Sequence, residues 1–182
     1  MARFSIDETN LELTGTAVRS LFVNAFHPQI KPILDKHGVS EIDPDGWYSM
    51  ALLKEIFKDI SERGDSIFNF VAIGIAAAEI SPLPPDVLRL SPLEFYAAYN
   101  EVFQTRHRGG NPGGLIAEPA NDNTVRITLV TPYPDEVMYG LMYGFAKRLL
   151  PTGTHITVRY VDDSLRRDLG SEETVLLLRW ED

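Results

Sequence analysis

The stretch that decides the fold spans residues 127–150 and reads ITLVTPYPDEVMYGLMYGFAKRLL. Around its start, apolar and polar side chains alternate from Val125 to Leu129, which is the period of a strand with one buried face. The Pro-Asp-Glu sequence at 134–136 predicts a helix that runs to about Leu150, because acidic residues suit the positive end of the helix dipole and the Lys-Arg pair at 147–148 suits the negative end. We therefore expect a strand that leads directly into a helix.

The residues after this pair predict two more strands. His155 to Val161 and Thr174 to Trp180 have strand composition, and the charged loop from Asp162 to Glu173 joins them. Upstream, the glycine-rich residues from Arg108 to Gly114 are typical of a loop. The C-terminal half, about residues 120–182, is thus predicted as a strand–helix–strand–strand unit that forms a mainly antiparallel sheet.

The N-terminal half, about residues 1–115, shows helical spacing of its apolar residues. The predicted helices run from Ala17 to about Phe26 with a second short helix after it, from Ser49 to Glu62, from Ser66 to Ile80, and from Ser91 to about Arg106. The helix from Ser66 is apolar on nearly every side and is expected at the centre of the core. We predict an α+β fold in which an N-terminal helical subdomain packs on the C-terminal sheet, and in which residues 1–182 form a single domain.

Composition narrows the function classes. The chain has 182 residues, of which 44% are apolar and 10% aromatic, enough for one sizeable core. With 17 Lys and Arg against 26 Asp and Glu, the net charge of −9 disfavours nucleic acid and anionic membrane surfaces as partners. The absence of cysteine excludes thiolate chemistry and suits a cytoplasmic protein. The longest apolar run, Phe70 to Ala78, is far short of the roughly 20 residues that span a bilayer, so we expect a soluble protein.

No enzyme signature is legible in the sequence. The four histidines show no pair three or four residues apart, so a local metal site is not predicted. Ser66, in Gly64-Asp65-Ser66, lacks the preceding strand and the late Asp-x-x-His that a hydrolase nucleophile block needs, and a helix cap is its favoured role. The segment from Arg106 to Gly110 combines cations with flexible backbone but lacks the Gly-Lys-Ser/Thr ending of a phosphate loop. We therefore predict a non-enzymatic protein without a metal.

Aromatic residues are concentrated in the helical half, and such residues can line an apolar ligand cavity that carries a few polar groups. The predicted pocket residues are Tyr99, Phe95, Phe103, Phe70 and Trp47. In this pocket the phenol of Tyr99 would orient a ligand through a hydrogen bond. The alternative is an aromatic core without a cavity.

The segment 127–150, followed by His155–Tyr160 and Val175–Trp180, resembles the C-terminal half of the haem nitric oxide/oxygen-binding domains and of the related 4-vinyl reductase-type domains. In that superfamily a strand leads into a glycine-containing helix and then into a strand pair that ends in an apolar-Arg-Trp-like run. The resemblance implies a helical subdomain on an antiparallel sheet, with a cavity between them. That cavity holds haem in the gas sensors and small hydrophobic effectors in other members.

The haem determinants of the gas sensors are not matched in this sequence. The resemblance places their Tyr-x-Ser-x-Arg propionate clamp near Ile127, Leu129 and Thr131, and none of the three is the required residue. If Pro112 stands for the proline that contacts the haem, the position of the iron ligand falls at Tyr99, with His107 as a further candidate. We therefore expect no cofactor, and haem is the alternative.

The function predicted from these observations is a non-enzymatic sensory or carrier domain that binds a small hydrophobic molecule between the helices and the sheet. One alternative is a haem-based sensor of a diatomic gas, NO or O2, and another is a protein-interaction domain without a ligand. An isolated sensor acts through a homodimer or a signalling partner protein, and we expect one of these.

Overall fold

The structure is a computed structural model that describes residues 4–24, 27–63 and 69–181. The helices are α1 (Gly15–Phe22), α2 (His27–Lys36), α3 (Met50–Glu62), α4 (Phe70–Ile80), α5 (Pro92–Thr105) and α6 (Asp135–Leu149). The strands are β1 (Ile6–Asp7), β2 (Glu12–Thr14), β3 (Trp47–Ser49), β4 (His107–Arg108), β5 (Asn111–Pro112), β6 (Gly114–Asn121), β7 (Thr124–Val130), β8 (His155–Tyr160) and β9 (Thr174–Glu181). Five helices therefore precede the long strands along the described chain.

The main sheet has four antiparallel strands in the order β6–β7–β9–β8. Its inner face consists of alternate apolar residues that α5 and α6 cover, among them Ile127, Leu129, Leu176 and Leu178. Two smaller sheets, β1–β5 and β3–β2–β4, tie the N-terminal residues to the segment after α5. This arrangement confirms the predicted α+β fold with a helical subdomain on a C-terminal antiparallel sheet.

Strand β6 was not predicted, and it crosses the expected boundary between the two halves near residues 115–120. The sequence there looks like a loop because it carries Gly113 and Gly114 at its start and Pro119 near its end. β6 tolerates Pro119 because it is an edge strand, and its pairing with β7 becomes irregular between Pro119 and Asn121. The C-terminal unit is therefore strand–strand–helix–strand–strand. The short strands β1 to β5 were also missed.

The helix ends show how local capping decides the boundaries. The first helix ends at Phe22 rather than near Phe26, and the side-chain amide of Asn24 donates to the backbone oxygens of Ser20 and Leu21 at 3.0 and 2.9 Å. The predicted capping box at Ser91 is present, with Glu94 as its partner at the start of α5.

Helix α4 begins later than predicted. Asn69 is its N-cap, and its side-chain oxygen accepts a hydrogen bond from the Val71 amide at 2.8 Å, so the helix starts at Phe70. The predicted start at Ser66, with the Gly64-Asp65-Ser66 triplet, lies outside the described residues.

Helices α4 and α6 lie against each other almost backbone to backbone. A Cβ atom placed on Gly74 would lie 2.1 Å from the Val137 carbonyl oxygen, and one on Gly140 would lie 2.0 Å from the Val71 carbonyl oxygen. Because these positions have no side chain, the two helices approach more closely than ordinary packing allows. Gly74, Gly140 and Gly144 form this contact, which we call the glycine seam.

Candidate functional site

A small cavity of about 50 Å3 lies between α1, α4, α5 and α6. Its apolar lining consists of Leu13, Ala17, Leu21, Ala77, Phe103, Val137, Met138 and Leu141. Its polar lining consists of Ser20, Ser81, Tyr99, Arg106, His107 and Tyr133. The site therefore combines an apolar floor with polar groups gathered mainly at the end of α5.

Tyr99 is held by its aromatic neighbours in α5 and α6. Its ring stacks on Phe95 at 5.7 Å and contacts Phe145 at 4.8 Å between ring centroids, and only 2% of the residue is exposed. Among the described residues its hydroxyl has no hydrogen-bond partner. Burial raises the pKa of Tyr99 above its usual value near 10, so the phenol is a neutral donor at neutral pH.

His107 and Tyr133 form a hydrogen-bonded pair on the cavity wall. The His107 Nδ1 atom lies 2.7 Å from the Phe103 carbonyl oxygen, and its Nε2 atom lies 2.6 Å from the Tyr133 hydroxyl. A carbonyl oxygen can only accept, so Nδ1 carries the proton and Nε2 accepts from Tyr133. Burial lowers the pKa of His107 to about 4, so the ring is neutral at pH 7.

Arg106 stands at the mouth of the cavity. Its guanidinium donates to the Ser81 Oγ atom at 2.8 Å and to the Pro82 carbonyl oxygen at 2.6 Å. Arg148 approaches the same turn and donates to the carbonyl oxygens of Ala78 and Ser81 at 2.6 and 2.7 Å. Two cations thus converge on the C-terminal end of α4, where the helix dipole favours positive charge.

Arg106 also borders an open outer groove of about 650 Å3. Trp47 lies in this groove together with Pro82, Pro84 and Val102. Arg106 is common to the groove and to the cavity, so the two sites adjoin at this residue.

The predicted site residues fall in three places. Tyr99, Phe103 and His107 line the cavity. Phe95 is fully buried behind Tyr99 in the aromatic core and does not line it.

Two further predicted residues lie away from the cavity. Phe70 packs edge-on against Phe57 at 5.7 Å, and Trp47 lies in the outer groove with the Arg108 guanidinium 4.3 Å above its ring. The aromatic residues that the sequence predicts in one pocket therefore lie in three places, namely the core, the cavity and the outer groove.

Sequence reasoning missed two polar residues of the site. Tyr133 lies in the stretch 127–150, and no role in a site is predicted for it from the sequence. Arg106 was read as part of a flexible cationic loop, whereas its guanidinium is anchored to residues 81 and 82.

The residues present do not fit a haem group. A cavity of about 50 Å3 is several times smaller than the roughly 300–1,000 Å3 of ordinary ligand pockets, and a porphyrin needs at least that space. Both ring nitrogens of His107 are engaged, so neither is free for iron. Ile127, Leu129 and Thr131 are all buried. Ile127 and Leu129 have no side-chain donor, and the single hydroxyl of Thr131 cannot replace the bidentate donors of an arginine. In the described part of the chain no cluster of His, Asp and Glu could hold a metal ion.

This chain has no match among the known sequences compared, but it does match solved structures. No family model and no curated protein matches it. Solved structures of H-NOX (haem nitric oxide/oxygen-binding) proteins do match. A T. tengcongensis H-NOX mutant is 18% identical with a TM-score of 0.65, and the match covers 92% of this chain and 95% of that chain. An H-NOX mutant from S. oneidensis is 14% identical with a TM-score of 0.68 over 93% of this chain and 97% of that chain.

A third structure is described as an oxygen-binding H-NOX domain related to soluble guanylate cyclases, in its oxygen complex. It is 18% identical with a TM-score of 0.62, over 92% of this chain and 93% of that chain. No helix in the described ranges is long and apolar enough to cross a membrane. The likeness extends over nearly the whole chain, helical subdomain and sheet together, and this protein has an H-NOX-like fold.

Proposed function

We propose that this chain is a ligand-binding sensory or carrier domain that holds a small, mainly apolar molecule in the cavity beside Tyr99. The observation that carries the proposal is the Tyr99 phenol on the wall of a cavity whose floor is apolar. Among the described residues this hydroxyl makes no hydrogen bond, so it can donate to a ligand that carries an acceptor.

The size of the cavity limits the ligand. A cavity of about 150 Å3 accommodates benzene, and the present one measures about 50 Å3. The ligand that fits without rearrangement is therefore a molecule of only a few non-hydrogen atoms. A larger ligand would require Arg106 to move from its contacts with residues 81 and 82, which would join the cavity to the outer groove.

The chemistry of the lining supports binding rather than catalysis. Ser20 donates to the Thr16 carbonyl oxygen at 3.1 Å, and Ser81 accepts from Arg106, so neither hydroxyl contacts a base that could activate it. His107 is held by Phe103 and Tyr133. The hydroxyl that does contact a base is the Tyr133 phenol on His107, and burial raises the pKa of Tyr133, which disfavours its ionisation to a nucleophile.

Haem-based binding of NO or O2 is the second candidate function, and the structural neighbours favour it over a small hydrophobic ligand. One of these neighbours is a structure from work on the function of haem distortion in the H-NOX family, and another is the oxygen complex described above. Against it stand the small cavity, the engaged nitrogens of His107 and the missing clamp. As a sensor of either kind, the domain would pass its state to a homodimer partner or to a signalling protein.

Two measurements on one preparation test these functions. Protein expressed with a haem precursor should show no Soret absorbance equivalent to one haem per chain, and such absorbance would make the gas-sensor function the leading one. Dissolved xenon should shift the NMR signals of methyl groups around the cavity, since xenon enters small apolar cavities. In Ala77→Val, which adds two methyl groups at the cavity wall, the xenon response should disappear. An unchanged response in that variant would refute the cavity as the ligand site.

A further inference from the structure

The charge of the cavity lining is unusual for this protein. The chain carries 26 acidic residues against 17 basic ones, yet no Asp or Glu is among the residues that line the cavity. Arg106 lines it, and Arg106 and Arg148 both donate to Ser81, to its hydroxyl and its carbonyl oxygen respectively. Within the described ranges neither arginine forms an ion pair with a carboxylate. The two guanidinium groups instead donate to Ser81 and to backbone carbonyl oxygens at the end of α4. Acidic residues do line the outer groove that Arg106 also borders, namely Asp45, Asp86 and Glu101.

We propose that the ligand of this cavity is a short-chain monocarboxylate, whose carboxylate is received by the Arg106 guanidinium and the Tyr99 hydroxyl. This inference rests on the proposed function and specifies its ligand class. The apolar tail of the ligand lies among Leu21, Val137 and Leu141, which form part of the apolar lining.

The available polar groups at the mouth are donors. Arg106 uses one N–H on Ser81 and one on Pro82, and a guanidinium has five, so further N–H groups remain. The Tyr99 hydroxyl has a proton and no partner in the described part of the chain. His107 and Tyr133 satisfy each other and offer little to a ligand. A carboxylate presents only acceptors and matches this set, whereas an ammonium group would be repelled by Arg106.

The position of Arg106 makes the burial of a carboxylate feasible. A charged group is expensive to bury unless it is paired and hydrogen-bonded. Arg106 lines both the cavity and the outer groove, so a carboxylate beside it would meet a cation while its tail occupied the apolar part of the cavity. By the benzene comparison, about 50 Å3 accommodates about two carbon atoms. Propionate is therefore the probe of choice.

The test is an NMR titration of the full chain with sodium propionate, with propionamide as a neutral ligand of the same shape and with ionic strength held constant. We expect propionate to bind at least tenfold more tightly than propionamide. Arg106→Gln should weaken propionate binding at least tenfold and leave propionamide within twofold. Tyr99→Phe should weaken the binding of both ligands. Arg108→Gln is the matched control, since Arg108 lies two residues on, pairs with Glu12 at 2.6 Å and does not line the cavity.

Several outcomes of the titration would overturn the inference. They are equal affinities of propionate and propionamide, unchanged propionate binding in Arg106→Gln, and an equal loss in Arg108→Gln. If Arg106→Gln does not fold, Arg106→Lys replaces it, because it keeps the charge but lacks the planar fork and should still bind propionate more tightly than propionamide. If xenon shifts the NMR signals but propionate does not bind, the carboxylate ligand is refuted and the cavity remains the proposed ligand site. If neither xenon nor propionate gives a response, the proposed function is refuted as well.

Discussion

Acidification should destabilise this protein through His107. Burial lowers the pKa of this histidine from its usual 6.5 to about 4, and the neighbouring Arg106 charge acts in the same direction. Between these two values the unfolded chain binds a proton at His107 that the folded chain does not bind, so the free energy of unfolding rises with pH across this window. The stabilisation is complete above about 6.5 and is lost as the pH falls towards 4.

The size of the effect follows from the same values. One pKa unit corresponds to about 1.4 kcal/mol, and the interval from pH 6.5 down to pH 5 covers about 1.5 units. Lowering the pH from about 8 to about 5 should therefore reduce the free energy of unfolding by about 2 kcal/mol through this residue alone. In structural terms, a proton on Nε2 would remove the acceptor that the Tyr133 hydroxyl uses, at 2.6 Å.

The assay is urea unfolding at several pH values between these limits, for the wild type and for His107→Gln. Gln can accept from Tyr133 but does not titrate here, so the difference between the two proteins cancels the contribution of the carboxylates. That difference should change by about 2 kcal/mol between the two pH limits. His155→Gln is the control, because the side chain of His155 is 72% exposed. Parallel pH profiles for the wild type and His107→Gln would refute the reasoning.

Three further substitutions test the packing around the site. Tyr96→Phe removes a buried hydroxyl that donates to the Met142 carbonyl oxygen at 2.6 Å, and it should cost about 1–3 kcal/mol in urea unfolding. Gly140→Ala places a Cβ atom 2.0 Å from the Val71 carbonyl oxygen. It should therefore lower the thermal midpoint of unfolding far more than Ser91→Ala does. An equal or smaller decrease would refute the close approach of α4 and α6. Ser91→Ala removes the N-cap of α5 and should cost about 0.5–2 kcal/mol, and an unchanged midpoint would contradict the capping role.

The parts of the fold that could be predicted are those with a local signal. The capping box at Ser91 and the charge pattern of α6 lie within a few residues of the boundaries they set, and both helices were found. Strand β6 could not be found, because its pairing with β7 overrides the turn chemistry of Gly113 and Pro119. At Gly113 the backbone has a φ of +72° and passes close to the Val130 carbonyl oxygen, which only the folded sheet brings there.

The residues of the candidate site also separate into those with a local sequence signal and those without one. Tyr99 and Phe103 follow from helical spacing, since they lie one turn apart on the buried face of α5. The roles of Arg106 and Tyr133 depend on partners 25 and 26 residues away, namely Ser81 and His107. No local pattern contains such contacts. His107 was selected as an iron candidate, whereas its contacts make it an internal hydrogen-bonding group.

The glycine seam between α4 and α6 has a consequence for how this domain can diverge in evolution. Any side chain at Gly74 or Gly140 would meet backbone oxygen atoms at about 2 Å. Substitutions of these two glycines are therefore not tolerated. The cavity side chains project from other faces of the same helices and from α1 and α5, where exchanges such as Leu21 or Met138 to other apolar residues keep the seam intact. Ligand preference can therefore change among descendants of this chain while the helix pair that supports the cavity stays the same.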